Sequence, residues 1–183
     1  MPRISPIDAS NADPKAATLL EGVRKVLGVT PNMMTTMARS PAVLEAYLNF
    51  SGALSKGSLG GKLGEQIALA VAGANGCGYC ASAHTLLGGK HGVDRDELAR
   101  NLRGESTDAR TQAALDFARV LVVKRGWASD GDLAAIRAAG FSDGQIAEIV
   151  GHVALNSFTN FFNHVADPEI DFPVVDAGQP VPA

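Results

Sequence analysis

The chain is poor in the features that mark several protein classes. It has only two cysteines in 183 residues, and they stand three positions apart. Neighbours that close cannot staple distant segments, which excludes a secreted disulfide scaffold and leaves a catalytic or metal-binding pair. No Lys/Arg cluster exceeds two adjacent residues and the formal charge is −3, so there is no electrostatic footprint for nucleic acid or an anionic membrane surface. No uninterrupted apolar stretch approaches the ~20 residues needed to span a bilayer. The opening Met1-Pro2-Arg3-Ile4-Ser5-Pro6 lacks the apolar core of an export signal, and a cytoplasmic location is the expectation. Aromatic residues make up 5% of the chain, and half of them fall between Phe141 and Phe172, which assigns much of the bulky packing to the C-terminal third. Alternating strand patterns are scarce.

Helix punctuation, by contrast, recurs throughout. Hydrophobic residues at 46% and charged residues at 19% give an ordinary folded balance, and the length fits one domain over residues 1–183. Asp13-Pro14 opens a helix whose Leu19, Leu20, Val23, Val26 and Leu27 share a face up to Gly28. Pro31 starts a short helix, and Ser40-Pro41 starts another that carries Val43, Leu44, Tyr47, Leu48 and Leu54 and stops near Gly57. From about Leu59 to Ala74 the apolar positions run nearly all round, the mark of a buried helix, and Asn75-Gly76 ends it. The next helix spans Cys77 to Leu87, closed by Gly88-Gly89. Asp94-x-x-Glu97 begins a short helix through Leu102, and a long one follows from about Thr107 to Lys124. Ser129 or Asp130 caps a short helix ending at Gly140, and Ser142-x-x-Gln145 opens a last long helix to about Val165. The tail from about residue 168, with Pro173, Pro180 and Pro182, is irregular. The class is therefore all-α. A short internal similarity relates Gln66-Ile67-Ala68 and Val71 to Gln145-Ile146-Ala147 and Val150, as two related helical halves would show; it pairs Cys77, Cys80 and His84 with Asn156, Thr159 and Asn163.

Cys77-Gly78-Tyr79-Cys80, with His84 one turn further on, carries the chemistry. Positions i, i+3 and i+7 of a helix share a face, which is what a redox dithiol needs: one sulfur attacks as thiolate, the second closes the disulfide, and an imidazole exchanges the proton. A place at a helix N-terminus favours thiolate through unpaired N–H groups and the helix dipole. Other readings stay open on these residues alone. Cys77, Cys80 and His84 supply three zinc ligands, with His91 or Glu65 as a fourth, although no second paired-ligand motif exists. Two buried structural cysteines would also fit. Haem attachment is excluded, because Ala81 stands where a histidine would follow the second cysteine. Glu65 has two readings, a first-turn residue that complements the helix dipole or a carboxylate against a buried face that accepts a proton.

His152, Asn156, Asn160, Asn163 and His164 form a polar stripe along the last helix. An Asn/His stripe beside three phenylalanines points to a partly buried hydrogen-bond network at a pocket or a subunit interface. His91, in a Gly-rich loop, reads as an exposed loop residue.

The string Glu65, eleven residues, Cys77-Gly78-Tyr79-Cys80, three residues, His84 resembles the alkylhydroperoxidase D-like branch of the carboxymuconolactone decarboxylase superfamily, most specifically over Leu63 to Leu87. The resemblance implies an all-α fold, a homo-oligomer (trimer or hexamer) and a thiol-dependent peroxidase or disulfide oxidoreductase acting on hydroperoxides. It implies Cys80 as the more exposed, reactive thiol, Cys77 as its disulfide partner, and Glu65 and His84 as the proton relay. No bound cofactor or metal is implied; electrons come from a dithiol such as dihydrolipoamide or from a partner redox protein. Tyr79 departs from the histidine that alkylhydroperoxidase D carries there, so that protein's partner does not carry over. The decarboxylase branch typically lacks the cysteine pair, which makes lactone decarboxylation the weaker family reading. A non-enzymatic thiol redox sensor is the competing function.

Overall fold

Caps and glycines set the helix boundaries in the computed structural model, which describes residues 1–8 and 11–179. Pro180 and Pro182 of the expected tail lie outside the described residues. The helices are α1 Pro14–Leu27, α2 Asn32–Met37, α3 Pro41–Leu54, α4 Gly60–Asn75, α5 Gly78–Lys90, α6 Arg95–Leu102, α7 Ala109–Val123, α8 Asp130–Ala138 and α9 Asp143–Ala166, with no strand among the described residues. The expected side-chain caps are in place: Asp13 on α1, Asp94 on α6, and capping boxes Ser129/Asp132 on α8 and Ser142/Gln145 on α9. The helix expected from Thr107 begins at Ala109, because Asp108 caps it by accepting from the Thr111 N–H at 2.7 Å.

Helix α4 is the axis of the fold. Every residue from Gln66 to Ala74 is buried, with α5, α6, α7 and α9 packed around it. Leu63, Ile67 and Val71 meet Leu115, Phe117 and Leu121 of α7, Ile136 of α8, and Ile146, Ile149 and Val153 of α9 in one apolar cluster. A helix surrounded on all sides needs small residues where a neighbour's backbone comes close. Gly73 is such a place: a Cβ there would overlap the carbonyl oxygen of Leu102. The start of α4 is held from across the core, where the Glu148 carboxylate of α9 accepts from the Ser58 N–H at 3.0 Å and the Leu59 N–H at 3.0 Å.

Three expectations change. Gly88 and Gly89 do not end α5, which runs on to Lys90; Gly88 is needed for close packing, since a Cβ there would lie 2.5 Å from Leu98 Cδ2 of α6. The aromatic third is not uniformly core: Phe141 is buried, but Phe158 and Phe161 are exposed because they fall on the outer face of α9, away from Ile146, Ile149 and Val153. The internal similarity does not extend to a shared build. Gly76 (φ 67°) ends α4 in the left-handed region, whereas its counterpart is Leu155, which cannot take that conformation cheaply, and α9 passes through unbroken.

Beyond α9 the chain turns at Asp167 (φ 48°) and the segment 169–177 straps back over the start of α5. The Tyr79 hydroxyl donates to Asp171 Oδ1 at 2.7 Å and accepts from the Met33 N–H at 3.1 Å. Asp171 Oδ2 accepts from the Asn32 N–H at 2.8 Å, and the Val175 N–H donates to Ser82 Oγ at 2.9 Å. Phe172 meets the Tyr79 ring edge-on at 5.5 Å between centroids, and Ile170, Phe172 and Val175 join the second apolar cluster, which α1, α2 and α3 build around Cys77 and Cys80.

Two outcomes follow from this packing. Gly73→Ala should lower stability by about 3 kcal/mol, because the opposing atom is backbone and cannot rotate away; thermal and denaturant unfolding measure it. Asp171→Ala removes the acceptor that ties the strap to Tyr79 and to α2, and should speed alkylation of Cys77 several-fold, as read by peptide mass mapping.

Candidate active site

The junction between α4 and α5 places the first cysteine. Gly76 closes α4, the Cys77 N–H donates back to the Ala72 carbonyl at 2.9 Å in a Schellman-type turn, and Cys77 takes extended geometry (φ −89°, ψ 97°) as the N-cap of α5. Its sulfur accepts from the Cys80 N–H at 3.4 Å, the role a Ser or Asp oxygen plays at most N-caps. Cys77 thus stands just outside the helix instead of in its first turn, and Cys80 lies one turn in. Both are free thiols and both are buried, at 1% and 2% exposure, so solvent exposure does not separate them.

Surroundings do. Cys80 lines a cavity of about 360 Å³, together with Tyr47, Glu65, His84 and His152 and an apolar wall that includes Met34, Leu54, Leu86, Leu155 and Phe172; Cys77 is not part of that lining. Behind Cys80 lies α9, whose Asn163 donates from Nδ2 to Cys80 Sγ at 3.2 Å and to Met33 Sδ at 3.4 Å, with Thr159 Oγ1 at 3.9 Å from the same cysteine sulfur.

Glu65 and His84 meet as the relay reading requires: His84 Nδ1 lies 2.7 Å from Glu65 Oε2, both side chains mostly buried. A carboxylate only accepts, so the Nδ1 proton belongs to this bond. Glu65 is in the second turn of α4, not the first, and so does not serve the helix dipole there. Burial works against a charged His84, but the adjacent Glu65 carboxylate and the hydrogen bond to it outweigh that and hold the imidazole above its ordinary value. The two thiols titrate as a pair. The hydrogen bond from Cys80 lowers Cys77 to about 7, and the same bond, with burial, pushes Cys80 well above its ordinary range. The dithiol gives up one proton readily and the second with difficulty.

Tyr47, assigned from the sequence to an apolar helix face, lines the cavity; burial, then the charges of Cys80 and Glu65, push its hydroxyl up to about 12, so it stays a donor. His152 packs over Gly64, where a Cβ would sit 3.0 Å from its ring, and burial lowers it, leaving a neutral imidazole. The polar stripe is partly internal: Asn156, Asn160 and Asn163 are buried, with Asn160 Oδ1 accepting from Asn75 Nδ2 at 2.9 Å, while His164 is exposed. His91 is also exposed, with its ring against Gly61. Among the described residues no three His, Cys, Asp or Glu side chains converge as metal ligands would, so the zinc set is not assembled. Sequence reasoning placed Asn163 only in the polar stripe and gave Thr159 no role at the thiols.

The sequence model of the carboxymuconolactone decarboxylase family matches residues 41–123, the span from α3 to the end of α7. No curated protein matches the chain. Among solved structures, an alkylhydroperoxidase D core protein of Ralstonia eutropha JMP134, described as peroxidase-related, superposes at TM-score 0.82 with 24% identity over 93% of this chain and 92% of its own. A peroxidase-related protein of Silicibacter sp. TM1040 superposes at 0.78 with 25% identity over 96% and 95%. The debrominase Bmp8, in complex with 2,3,4-tribromopyrrole, superposes at 0.78 with 22% identity over 92% and 91%. Residues 41–123 thus match the carboxymuconolactone decarboxylase family, and the chain shares the fold of the alkylhydroperoxidase D-like structures.

Proposed function

We propose that the protein is a thiol-dependent peroxidase that reduces organic hydroperoxides through Cys77 and Cys80. The observation that carries this reading is that Cys80 and the hydrogen-bonded Glu65–His84 pair share the wall of one mainly apolar cavity. The Cys80 thiolate attacks the terminal oxygen of ROOH and the O–O bond breaks. Cys80 becomes a sulfenic acid, and the departing alkoxide takes a proton from the His84 imidazolium and leaves as ROH. The Cys77 thiol then attacks the Cys80 sulfur, water leaves and the disulfide closes. A dithiol of the dihydrolipoamide class, or a partner redox protein, supplies two electrons and two protons to reopen it, and neutral His84 takes the proton when Cys80 next ionises. Assembly as a trimer or hexamer in the cytoplasm belongs to the same proposal; Val150, Phe161 and Val165 offer exposed apolar surface on α9, and no described helix is long and apolar enough to cross a membrane.

The cavity also favours a second reading. About 360 Å³ of mainly apolar space beside a buried sulfur suits a small halogenated ring, the kind of molecule that the debrominase neighbour holds. Reductive dehalogenation balances with the same dithiol: the ring exchanges halogen for hydrogen, halide and a proton leave, and the two thiols become the disulfide.

Peroxide consumption with dihydrolipoamide as donor tests the first reading. Cys80→Ser and Cys77→Ser should each lose turnover by about a hundredfold or more, and His84→Ala and Glu65→Gln by roughly a hundredfold, the usual worth of a positioned acid or base. Unchanged turnover in Cys80→Ser overturns the mechanism; one round of disulfide formation without turnover identifies a sensor; bromide release from tribromopyrrole in place of peroxide consumption selects the second reading. The pH profile is also set. The rate should rise as the dithiol loses its first proton near 7 and fall once His84 loses its own. Glu65→Gln removes the carboxylate that keeps His84 charged, so it should move the alkaline limb to lower pH and leave the acid limb in place.

A further inference from the structure

We propose that Asn163 is the positioning residue that stabilises the thiolate of Cys80, the sulfur facing the cavity. The inference takes the working sulfur from the redox reading above and adds what stabilises its charge.

The orientation of the Asn163 amide is decided by its neighbours. One edge of the group touches two sulfurs, Cys80 Sγ at 3.2 Å and Met33 Sδ at 3.4 Å. A thioether carries no hydrogen and can only accept, so the edge facing Met33 must be the NH₂ edge, and the same edge faces Cys80. The other end of the amide confirms that this placement does not serve stability: Asn163 Oδ1 is fully buried with no hydrogen-bond partner. An orphaned acceptor of that kind lowers stability, and a leucine, with the same branching, carries none.

Within the dithiol, the first charge favours Cys77. As N-cap it accepts from the Cys80 N–H, and it also accepts from the Cys80 thiol. Yet Cys77 does not line the cavity. Asn163 aims an N–H at Cys80 Sγ, with the Thr159 hydroxyl beside it at 3.9 Å, and favours the charged form of Cys80 as it does that of Cys77. A hydrogen bond to sulfur gains most when that sulfur is charged. The titratable groups around the dithiol are Tyr47 from α3, Glu65 from α4, Tyr79 and His84 from α5, His152 from α9 and Asp171 from the tail. None is altered in the test.

The test isolates one thiol. In a Cys77→Ser background, ionisation of Cys80 is followed by the ultraviolet absorbance of the thiolate, and its alkylation rate by peptide mass, with Asn163 intact, as Asn163→Leu and as Asn163→Asp. Asn163→Leu should raise the midpoint by about one unit, a tenfold loss of thiolate and of alkylation rate at neutral pH, while the melting temperature holds or rises because the orphaned acceptor is gone. Asn163→Asp keeps the shape but presents an acceptor, and should raise the midpoint further. If the leucine variant does not fold, the aspartate variant decides. A midpoint unchanged in the folded variants overturns the proposal. The readout needs neither peroxide nor turnover, so loss of the peroxidase reading would leave this result standing, and the reverse.

Discussion

The burial of α4 on every side is the constraint on which the rest of the structure depends. A helix that touches α5, α6, α7 and α9 at once must be apolar all round and small where backbones meet, and the run from Gln66 to Ala74 satisfies both conditions. Its rigidity carries over to the chemistry at both ends. Near the start, Glu65 is held at the cavity wall, where the imidazole on the next helix reaches it. At the end, Gly76 stops the helix in the left-handed region and delivers Cys77 straight into an N-cap. A helix free to fray or slide would leave neither group positioned.

The dithiol that results has two unlike sides. Cys80 faces a cavity shared with Tyr47, His84 and His152, whereas Cys77 is outside that lining and caps the helix to which Tyr79 and Asp171 tie the strap. Tyr79, the residue between the cysteines that departs from the alkylhydroperoxidase D pattern, therefore has a structural task in this chain. Its hydroxyl is held protonated by burial and joins α2, α5 and the tail at one point. The asymmetry is one of surroundings, not of exposure, since neither sulfur reaches bulk solvent. It also explains why α9 matters: the side chains that touch Cys80 from behind, Thr159 and Asn163, come from a helix remote in sequence but packed directly on α4.

The all-α class, the order of the helices and nearly all of their caps were legible in the sequence, because capping and helical periodicity act within a few residues and leave local signatures. The grouping of Cys77, Cys80 and His84 was legible for the same reason, as spacing along one helix, whereas Glu65 joined them only through the family resemblance. The sequence by itself thus determined which segments are helical and where the two cysteines and His84 fall along them. Only the tertiary structure decided that Gly88 marks a close approach to Leu98 instead of a helix end, that Phe158 and Phe161 turn out, and that Tyr47 lines a cavity. It also decided that Asn163, eighty-three positions from Cys80, supplies the amide at its sulfur. Those features depend on which helix faces which, and the packing of distant side chains leaves no short-range pattern to read.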